Sequence, residues 1–332
     1  MRFRFQQFKK FLFQISALTV VTVATFSFAQ TFSLNRDLEN LKQSNPNLVQ
    51  AYDKINLIEA WNTISSSASV FSEVKIGIID SGMDINHPEF SLFPRVNIGN
   101  TPFNAQVDGD PTGHGTQVSG IIGANNLSAT SSANYQLSQM NGILSGIKDL
   151  PYTLEHRKDN FGGNGGPSIS KILWEANRLA ISGVPIINLT ATFDFKNFLT
   201  AVPCDTGLTN SFELLFASVF SVFSNQTLFI VSSGETAPGI TDAECFLPGA
   251  LGGGLLSLPN VINVGGTKLD DSRSPTSPFG SAVNISAPAE RVYAPRPPLI
   301  PSEPEEKRYD EFFGGTSASA PMVTGVAGLI KA

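Results

Sequence analysis

The middle of the chain alternates between short apolar runs and segments with helical periodicity, and this alternation restricts the fold more than any other feature. Four runs are rich in β-branched residues, which is typical of strands buried on both faces of a sheet: residues 74–80, 185–189, 227–232 and 261–265. Residues 168–182 and 210–224 repeat apolar side chains at helical spacing. Strand, helix and strand in succession predict a three-layer α/β domain, in which helices cover both faces of a mostly parallel central sheet.

The composition is compatible with such a domain and argues against several classes of function. Of the 332 residues, 41% are hydrophobic and 15% are charged, so the chain can bury a large core and is not a disordered polymer. The net charge of −6 lacks the excess of lysine and arginine that binding to a phosphate backbone requires, so we predict no nucleic-acid partner. The glycine-rich segments 161–167 and 249–254 match no phosphate-binding motif.

The first 29 residues have the pattern of a secretory signal. Four basic residues precede an apolar stretch from Phe11 to Phe28, and the small residues Ser27 and Ala29 suit cleavage before Gln30. We therefore predict a secreted or extracytoplasmic protein without a membrane attachment after cleavage. An uncleaved membrane anchor is the alternative, because the apolar stretch approaches the length that a bilayer requires.

The remaining chain divides into an arm and a domain. Residues 30–55 are polar and are predicted to form an N-terminal arm with a turn at Asn45-Pro46-Asn47, whereas residues 56–332 are predicted to form the folded domain. Residues 295–304 contain five prolines and are predicted to be a surface excursion from that domain.

Cys204 and Cys245 are the two cysteines of the chain, and an oxidising compartment would allow them to form a disulfide. Closing a loop of about 40 residues stabilises a fold by roughly 4 kcal/mol in the chain-entropy model. Two unpaired thiols are the alternative. The spacing matches no cysteine and histidine motif for structural zinc, so we assign no metal ligand.

Three residues have a context that suits nucleophilic catalysis. His114 is flanked by Gly113 and Gly115 and precedes an apolar face, which predicts an imidazole at the start of a helix. Asp80 ends the first predicted strand, at the edge where open α/β sheets bind their ligands. Ser317 opens a run of small and apolar residues, where backbone N–H groups and the helix dipole would face a developing negative charge. Taken singly, Asp80 could cap a turn and Ser317 could cap a helix.

The other two histidines have weaker contexts. His87 precedes Pro88 in a predicted turn, and His156 lies in the charged segment 155–159, which is predicted to face solvent. Neither is assigned to the site.

In chain order the three candidates are Asp, His and Ser, which is one of the known orders of the catalytic triad. The motifs around them resemble those of the subtilisin-like serine proteases, which form the subtilase or peptidase S8 family. These motifs are Ile78-Ile-Asp-Ser-Gly-Met-Asp84, Asp110-Pro-Thr-Gly-His-Gly-Thr116 and Gly315-Thr-Ser-Ala-Ser-Ala-Pro321, and the resemblance covers residues 56–332.

The resemblance implies a subtilisin-like fold and a serine endopeptidase that cleaves polypeptides through an acyl-enzyme. Ser317 would attack the carbonyl carbon, His114 would accept the serine proton and pass it to the leaving amine, and Asp80 would orient the imidazole. An extended substrate would lie as an added strand along the segment Asn188-Leu-Thr-Ala-Thr192. The resemblance implies that the substrate-binding residues are Thr190, Ala191, Thr192, Ser233 and Gly234.

Glu235 departs from the family pattern, because it stands where the family has an asparagine whose side chain donates a hydrogen bond to the oxyanion. An ionised glutamate accepts hydrogen bonds and cannot donate them. Loss of this donor in subtilisin lowers kcat by about 10²–10³-fold. We therefore expect an endopeptidase of reduced activity, and a catalytically impaired subtilase-like module that binds peptides is the alternative. An unrelated α/β hydrolase is disfavoured, because the chain has no Gly-x-Ser-x-Gly motif.

Smaller departures concern packing and cofactors. Gln117 stands where a second histidine is common in the family, and the chain stops at Ala332, inside the predicted serine helix, which predicts a truncated C-terminal end. Asp84, Asp108 and Asp110 could bind structural calcium, although turn and cap roles are equally expected. No other cofactor is predicted.

Overall fold

A seven-stranded sheet forms the centre of the fold, and each pair of neighbouring strands in it is parallel. The strands lie in the spatial order β2 (Val96–Ile98), β3 (Tyr152–Lys158), β1 (Val74–Asp80), β4 (Ile186–Leu189), β6 (Leu228–Ser232), β8 (Val261–Thr267) and β9 (Ile285–Pro288). In the part of the chain that the structure describes, two antiparallel pairs lie outside this sheet. They join β5 (Phe193–Asp194) to β7 (Phe246–Leu247), and β10 (Val292–Pro295) to β11 (Tyr309–Phe313).

The computed structural model describes most of the chain beyond its N-terminal segment. The described residues are 42, 46–67, 70–90, 96–98, 110–124, 142–147, 149–159, 168–194, 207–236, 241–254, 256–300, 302–304 and 307–332. The predicted signal, Asp108, the glycine-rich segment 161–167 and Cys204 lie outside these ranges. Cys245 is buried and disulfide-bonded. Within the described ranges, no helix combines the length and the apolar character needed to cross a bilayer.

Helices cover both faces of the central sheet. One face packs against α1 (Pro46–Lys54), α2 (Leu57–Ser66), α3 (His114–Gly123) and α6 (Thr316–Lys331). The opposite face packs against α4 (Ile169–Ile181) and α5 (Gly207–Phe220). Short 3₁₀ turns lie at Pro88–Phe90, Ser221–Phe223, Ala243–Cys245 and Gly249–Gly252. The predicted three-layer architecture is therefore confirmed.

Strand β1 shows why the apolar runs predict this architecture. Ile76 and Ile78 belong to the core below α3 and α6, whereas Ile79 belongs to the core below α4 and α5, and all three are fully buried. A side chain at Gly77 would come within 2.9 Å of Leu179 on α4. Since successive residues of a strand point to opposite faces, a strand covered on both sides needs apolar or small residues at nearly every position.

The predicted turn at residues 45–47 is wrong, because Pro46 begins α1. Proline suits the first turn of a helix, where its missing N–H would have no partner and its fixed φ is already helical. Val49, Ala51 and Tyr52 are buried, and the Tyr52 hydroxyl donates to the carbonyl oxygen of Tyr293 at 3.1 Å. The end of the predicted arm is therefore part of the core.

The charged segment that was predicted to face solvent is strand β3. Glu155, His156 and Arg157 are all buried there. Arg157 Nη2 lies 3.3 Å from Glu155 Oε2, and its Nε lies 3.6 Å from Glu175 Oε2 on α4. Opposite charges that meet inside the protein offset part of the cost of burial. The sequence could not reveal this pairing, because Glu175 is brought to β3 only by the fold.

His156 provides a test of this buried strand. It is 1% exposed, and within the described residues neither ring nitrogen has a hydrogen-bond partner. Burial lowers the pKa of His156 to about 4, against an ordinary value of 6.5, although Asp80 and Asp110 act in the opposite direction. The unfolded chain therefore binds a proton at a higher pH than the folded chain does.

The free energy of unfolding should consequently fall as the pH decreases from 6.5 to about 4, by about 3 kcal/mol from this group alone. His156→Gln cannot take up the proton, so its stability should depend less on pH across this window. Urea unfolding at pH 7.5 and pH 5 measures the difference for both proteins. Equal losses of stability in the two proteins would contradict the prediction.

The described part of the proline-rich segment lies at the surface, as predicted, except for its first residue. Residues 296–308 connect β10 to β11. Pro295 is buried, and its ring occupies the space where a side chain at Gly120 of α3 would lie. The connection therefore leaves β10 at a point that packs against α3, the helix that carries His114.

Candidate active site

Asp80 and His114 meet at the carboxyl end of β1, where α3 begins. His114 Nδ1 lies 2.7 Å from Asp80 Oδ1, and the carboxylate is fully buried while the imidazole is partly exposed. The N–H of Ser81 donates to the same oxygen at 2.7 Å, and the Thr190 hydroxyl donates to Asp80 Oδ2. The carboxylate is thus held in place by three groups.

This contact determines how the two groups ionise. Burial by itself raises the pKa of Asp80, but His114, Thr190 and Ser81 lower it below its ordinary value. Burial by itself lowers the pKa of His114, but the Asp80 carboxylate, and more weakly Asp110, raise it above 6.5. A neutral imidazole that donates from Nδ1 to Asp80 keeps Nε2 as an acceptor, which is the tautomer that a general base requires.

Asp110 fixes the start of α3. Its Oδ1 accepts hydrogen bonds from the Ser81 hydroxyl at 2.7 Å and from the Gly113 N–H at 3.0 Å. Its Oδ2 accepts from the N–H and the hydroxyl of Thr116, both at 2.8 Å. The Gly115 N–H donates to the Ser81 hydroxyl at 2.9 Å, so β1 and α3 are joined beside the imidazole. Asp110 is therefore a helix cap that positions His114.

The sequence signalled the capping role of Asp110 only weakly, through an aspartate three residues before the glycine that precedes the helix.

Within the described residues, no cluster of three or more histidine, cysteine, aspartate or glutamate side chains could hold a metal ion. Asp84 Oδ1 accepts a hydrogen bond from the Asn86 N–H at 3.1 Å, which is a turn contact.

Ser317 lies in the first turn of α6. Gly315 precedes the helix with a φ of 72°, a conformation that glycine adopts without strain. Ser317 is partly exposed, whereas Ala318, Ala320 and the rest of the sheet-facing side are buried. No hydrogen bond joins Ser317 to His114 within the described part of the chain. The two helices pack together, and the Phe313 ring meets the imidazole edge-on at a centroid distance of 5.6 Å.

Glu235 covers the start of α6. Its Oε1 accepts a hydrogen bond from the Thr316 N–H at 3.0 Å, and the Thr316 hydroxyl donates to the carbonyl oxygen of Gly234 at 2.8 Å. A side chain at Gly315 would collide with the Glu235 carboxylate. Burial raises the pKa of Glu235 above its ordinary value, although hydrogen bonds from Thr276 and Thr316 act in the opposite direction. The carboxylate thus accepts the hydrogen bond of one backbone N–H group in the first turn of the helix that carries Ser317.

The residues predicted to bind substrate lie at the ends of β4 and β6, but two of their side chains are directed inward. The Thr190 hydroxyl is engaged by Asp80, and Ser233 is fully buried, with its N–H bonded to the carbonyl oxygen of Val264 at 3.0 Å. Ala191 is also buried, and Thr192 is partly exposed. Gly234 has a φ of 97° with the Phe246 ring behind it. Thr190 and Ser233 could therefore contact a substrate only through their backbones.

Comparison with known proteins places this arrangement in a family. Residues 72–332 match the model of the subtilase family, Peptidase S8. Subtilisin-like protease 1 of Trichophyton equinum is 25% identical over 280 residues, which cover 82% of this chain and 44% of that protein. Subtilisin-like protease 1 of Trichophyton verrucosum is 26% identical over 263 residues, covering 76% of this chain and 51% of that protein. The chain spans about half the length of the curated relatives it matches.

Solved structures share the fold. A lanthipeptide protease is similar with a TM-score of 0.60 and 20% identity, over 86% of this chain and 80% of that chain. A cold adapted subtilisin-like serine proteinase is similar with a TM-score of 0.52 and 22% identity, over 78% of this chain and 75% of that chain. These similarities confirm the predicted subtilisin-like fold. With the family match over residues 72–332, they show that the chain belongs to the subtilase family.

Proposed function

We propose that the chain is a serine endopeptidase that cleaves polypeptides and uses Asp80, His114 and Ser317 as its triad. The contact of 2.7 Å between His114 Nδ1 and the buried Asp80 carboxylate carries this proposal. Because that carboxylate engages Nδ1, Nε2 is free to accept a proton from a nucleophile. The family motif around Ser317 and its position in the first turn of α6 support Ser317 as that nucleophile.

The proposed reaction has two halves. Ser317 Oγ attacks the carbonyl carbon of the substrate while its proton moves to His114 Nε2, and the carbonyl oxygen becomes an oxyanion. The carbon–nitrogen bond then breaks, the proton passes from Nε2 to the leaving amine, and the acyl group stays on Ser317. Water repeats the steps and releases the acid. Asp80 remains ionised throughout and stabilises the imidazolium.

The proposed site has few hydrogen-bond donors for the oxyanion. The Ser317 N–H lies in the first turn of α6, where a helix leaves its N–H groups without partners from within the helix. The neighbouring Thr316 N–H is already bonded to Glu235, and an ionised carboxylate would repel the oxyanion. We therefore expect the enzyme to cleave peptides slowly. The same observation favours the second candidate, a subtilase-like module that binds peptides without cleaving them.

A fluorophosphonate probe distinguishes these candidates, because it labels only an activated serine. The catalytic proposal predicts labelling of the native protein, no labelling of Ser317→Ala, and slow cleavage of casein or of a peptide library. Absence of both labelling and cleavage in the folded native protein would overturn the catalytic proposal, and binding of an uncleaved peptide would then support the binding module.

Export is part of the proposal, and it rests on the pattern of residues 1–29. Expression of the full chain in a secreting host should yield a mature protein that begins at Gln30. Mass spectrometry of the culture medium and of the membrane fraction measures this. A chain retained in the membrane with residues 1–29 intact would support the anchor.

The rate should increase with pH through the titration of His114. The base must be neutral to accept the serine proton, and its pKa lies above 6.5, so kcat/KM should rise with an apparent pKa above that value. Glu235 also titrates, and Glu235→Gln removes that carboxyl group while leaving the base intact. The same rise should persist in Glu235→Gln. A rise below pH 6 in the native enzyme would contradict the assignment to His114.

A further inference from the structure

The connection between β10 and β11, residues 296–308, is a braced loop, which we call the 296–308 loop. The Arg296 guanidinium makes two hydrogen bonds to the Glu303 carboxylate, at 2.9 and 2.8 Å. The Leu299 N–H donates to the same carboxylate at 2.7 Å, and the Arg308 side chain donates to the Glu303 carbonyl oxygen at 3.1 Å. Bidentate pairing of this kind fixes geometry, so the described residues on either side of it, 296–300 and 302–304, have a defined arrangement.

The start of the 296–308 loop and the strand that follows the loop, β11, both contact α3, the helix of the proposed base. At its start, a side chain at Gly113 would lie 3.2 Å from the Pro297 ring, so this ring stands beside the residue that precedes His114. Beyond its end, Asp310 Oδ2 accepts a hydrogen bond from Gln117 Nε2 at 2.8 Å. This pairing also gives a structural role to the glutamine that replaces a histidine of the family.

The tip of the 296–308 loop presents two exposed aliphatic side chains. Leu299 is 76% exposed and Ile300 is 58% exposed. Two residues of chain span at most about 7 Å, so Leu299 lies within that distance of Pro297, whose ring packs against Gly113, the residue before His114. Arg296 and Glu303, which lie on either side of Leu299 and Ile300 in the chain, form an ion pair with each other. Neither of these two residues therefore places an unpaired charge next to the apolar pair. An apolar pair held out on a braced loop is typical of an interaction surface.

We propose that Leu299 and Ile300 bind apolar side chains of the polypeptide substrate on the leaving-group side of the scissile bond. This inference rests on the proposed function. His114 delivers its proton to the leaving amine, so the segment that departs must run past the imidazole. The 296–308 loop packs against Gly113, the residue before His114 on α3, so its apolar tip is within reach of a segment that leaves past the imidazole.

Matched substrates test the proposal. One is a peptide anilide, which has no residue beyond the scissile bond, and the other is a longer peptide with leucine or valine at the second to fifth positions beyond it. Leu299→Ser combined with Ile300→Ser should lower kcat/KM for the long peptide about 10-fold. Cleavage of the anilide should not change. Val70→Ser, an exposed aliphatic site outside the candidate site, is the matched control and should alter neither rate.

A binding measurement separates this inference from the proposed function. In a Ser317→Ala background, the same double substitution should weaken binding of the long peptide about 10-fold by fluorescence anisotropy. Weakened binding with no cleavage by the native protein would overturn the proposed function and keep this surface. Unchanged binding and unchanged kcat/KM would overturn this surface and keep the endopeptidase. An equal loss on the anilide would show that His114 had moved, which would also overturn the assignment.

Discussion

Ser317→Ala is expected to lower kcat/KM for any cleaved peptide by at least about 10³-fold. The hydroxyl is the proposed nucleophile, and loss of the triad serine in subtilisin lowers kcat by about 10⁶-fold. The measurable loss should be smaller here, because Glu235 already reduces the starting rate by an expected 10²–10³-fold, as loss of the asparagine donor does in subtilisin, an order-of-magnitude value. Single-turnover kinetics with excess enzyme provide the sensitivity needed for a slow catalyst.

Ser257→Ala is the matched control, since Ser257 is an exposed serine at a distance along the chain from all three triad candidates. It should retain the native rate. Activity of Ser317→Ala within 10-fold of the native value would contradict the assignment of the nucleophile, whatever the behaviour of His114.

Glu235→Asn is expected to raise kcat by about 10²–10³-fold, which is the effect of one oxyanion donor. The substitution removes the carboxylate that binds the Thr316 N–H and supplies an amide N–H group near the start of α6. Both changes favour the oxyanion over the ground state, so the gain should fall on kcat more than on KM. Steady-state kinetics on one peptide substrate measure the two constants separately.

Two further substitutions separate removal of the charge from gain of the donor. Glu235→Ala removes the carboxylate alone and should give a smaller increase than Glu235→Asn. Glu235→Gln supplies an amide on a side chain one methylene longer and should give an intermediate rate. If Glu235→Asn is slower than the native enzyme, the glutamate contributes to the reaction, and the proposal that it impairs the site is wrong.

The strands that carry the site were predictable because their environment is uniform. β1, β4, β6 and β8 are covered on both faces, so each has a nearly continuous apolar run. Strand β3 was not predicted, because it is buried but carries charged side chains. One of them, Arg157, is paired with Glu175 on α4. An isolated run of charges carries no sign of such a partner.

The site likewise has features that the sequence predicted and features that it did not. The glycines around His114 and Ser317 predicted two helix starts, because these glycines are needed next to the first turn of each helix. The positions of the side chains that support the site were not predictable. The Thr190 hydroxyl on Asp80 depends on the order of β1 and β4 in the sheet, and the carboxylate of Glu235 on the Thr316 N–H depends on the approach of β6 to α6.

The sequence by itself determined the layered α/β architecture, the family and the residue types of the proposed triad, because these follow from local periodicity and from short contiguous motifs. Only the tertiary structure decided which polar groups hold Asp80, how Asp110 caps the histidine helix, that the proline-rich connection braces itself beside His114, and that Glu235 engages the serine helix. Each of these is a contact between residues far apart in the chain, and its distance and direction are set by packing of the sheet and helices.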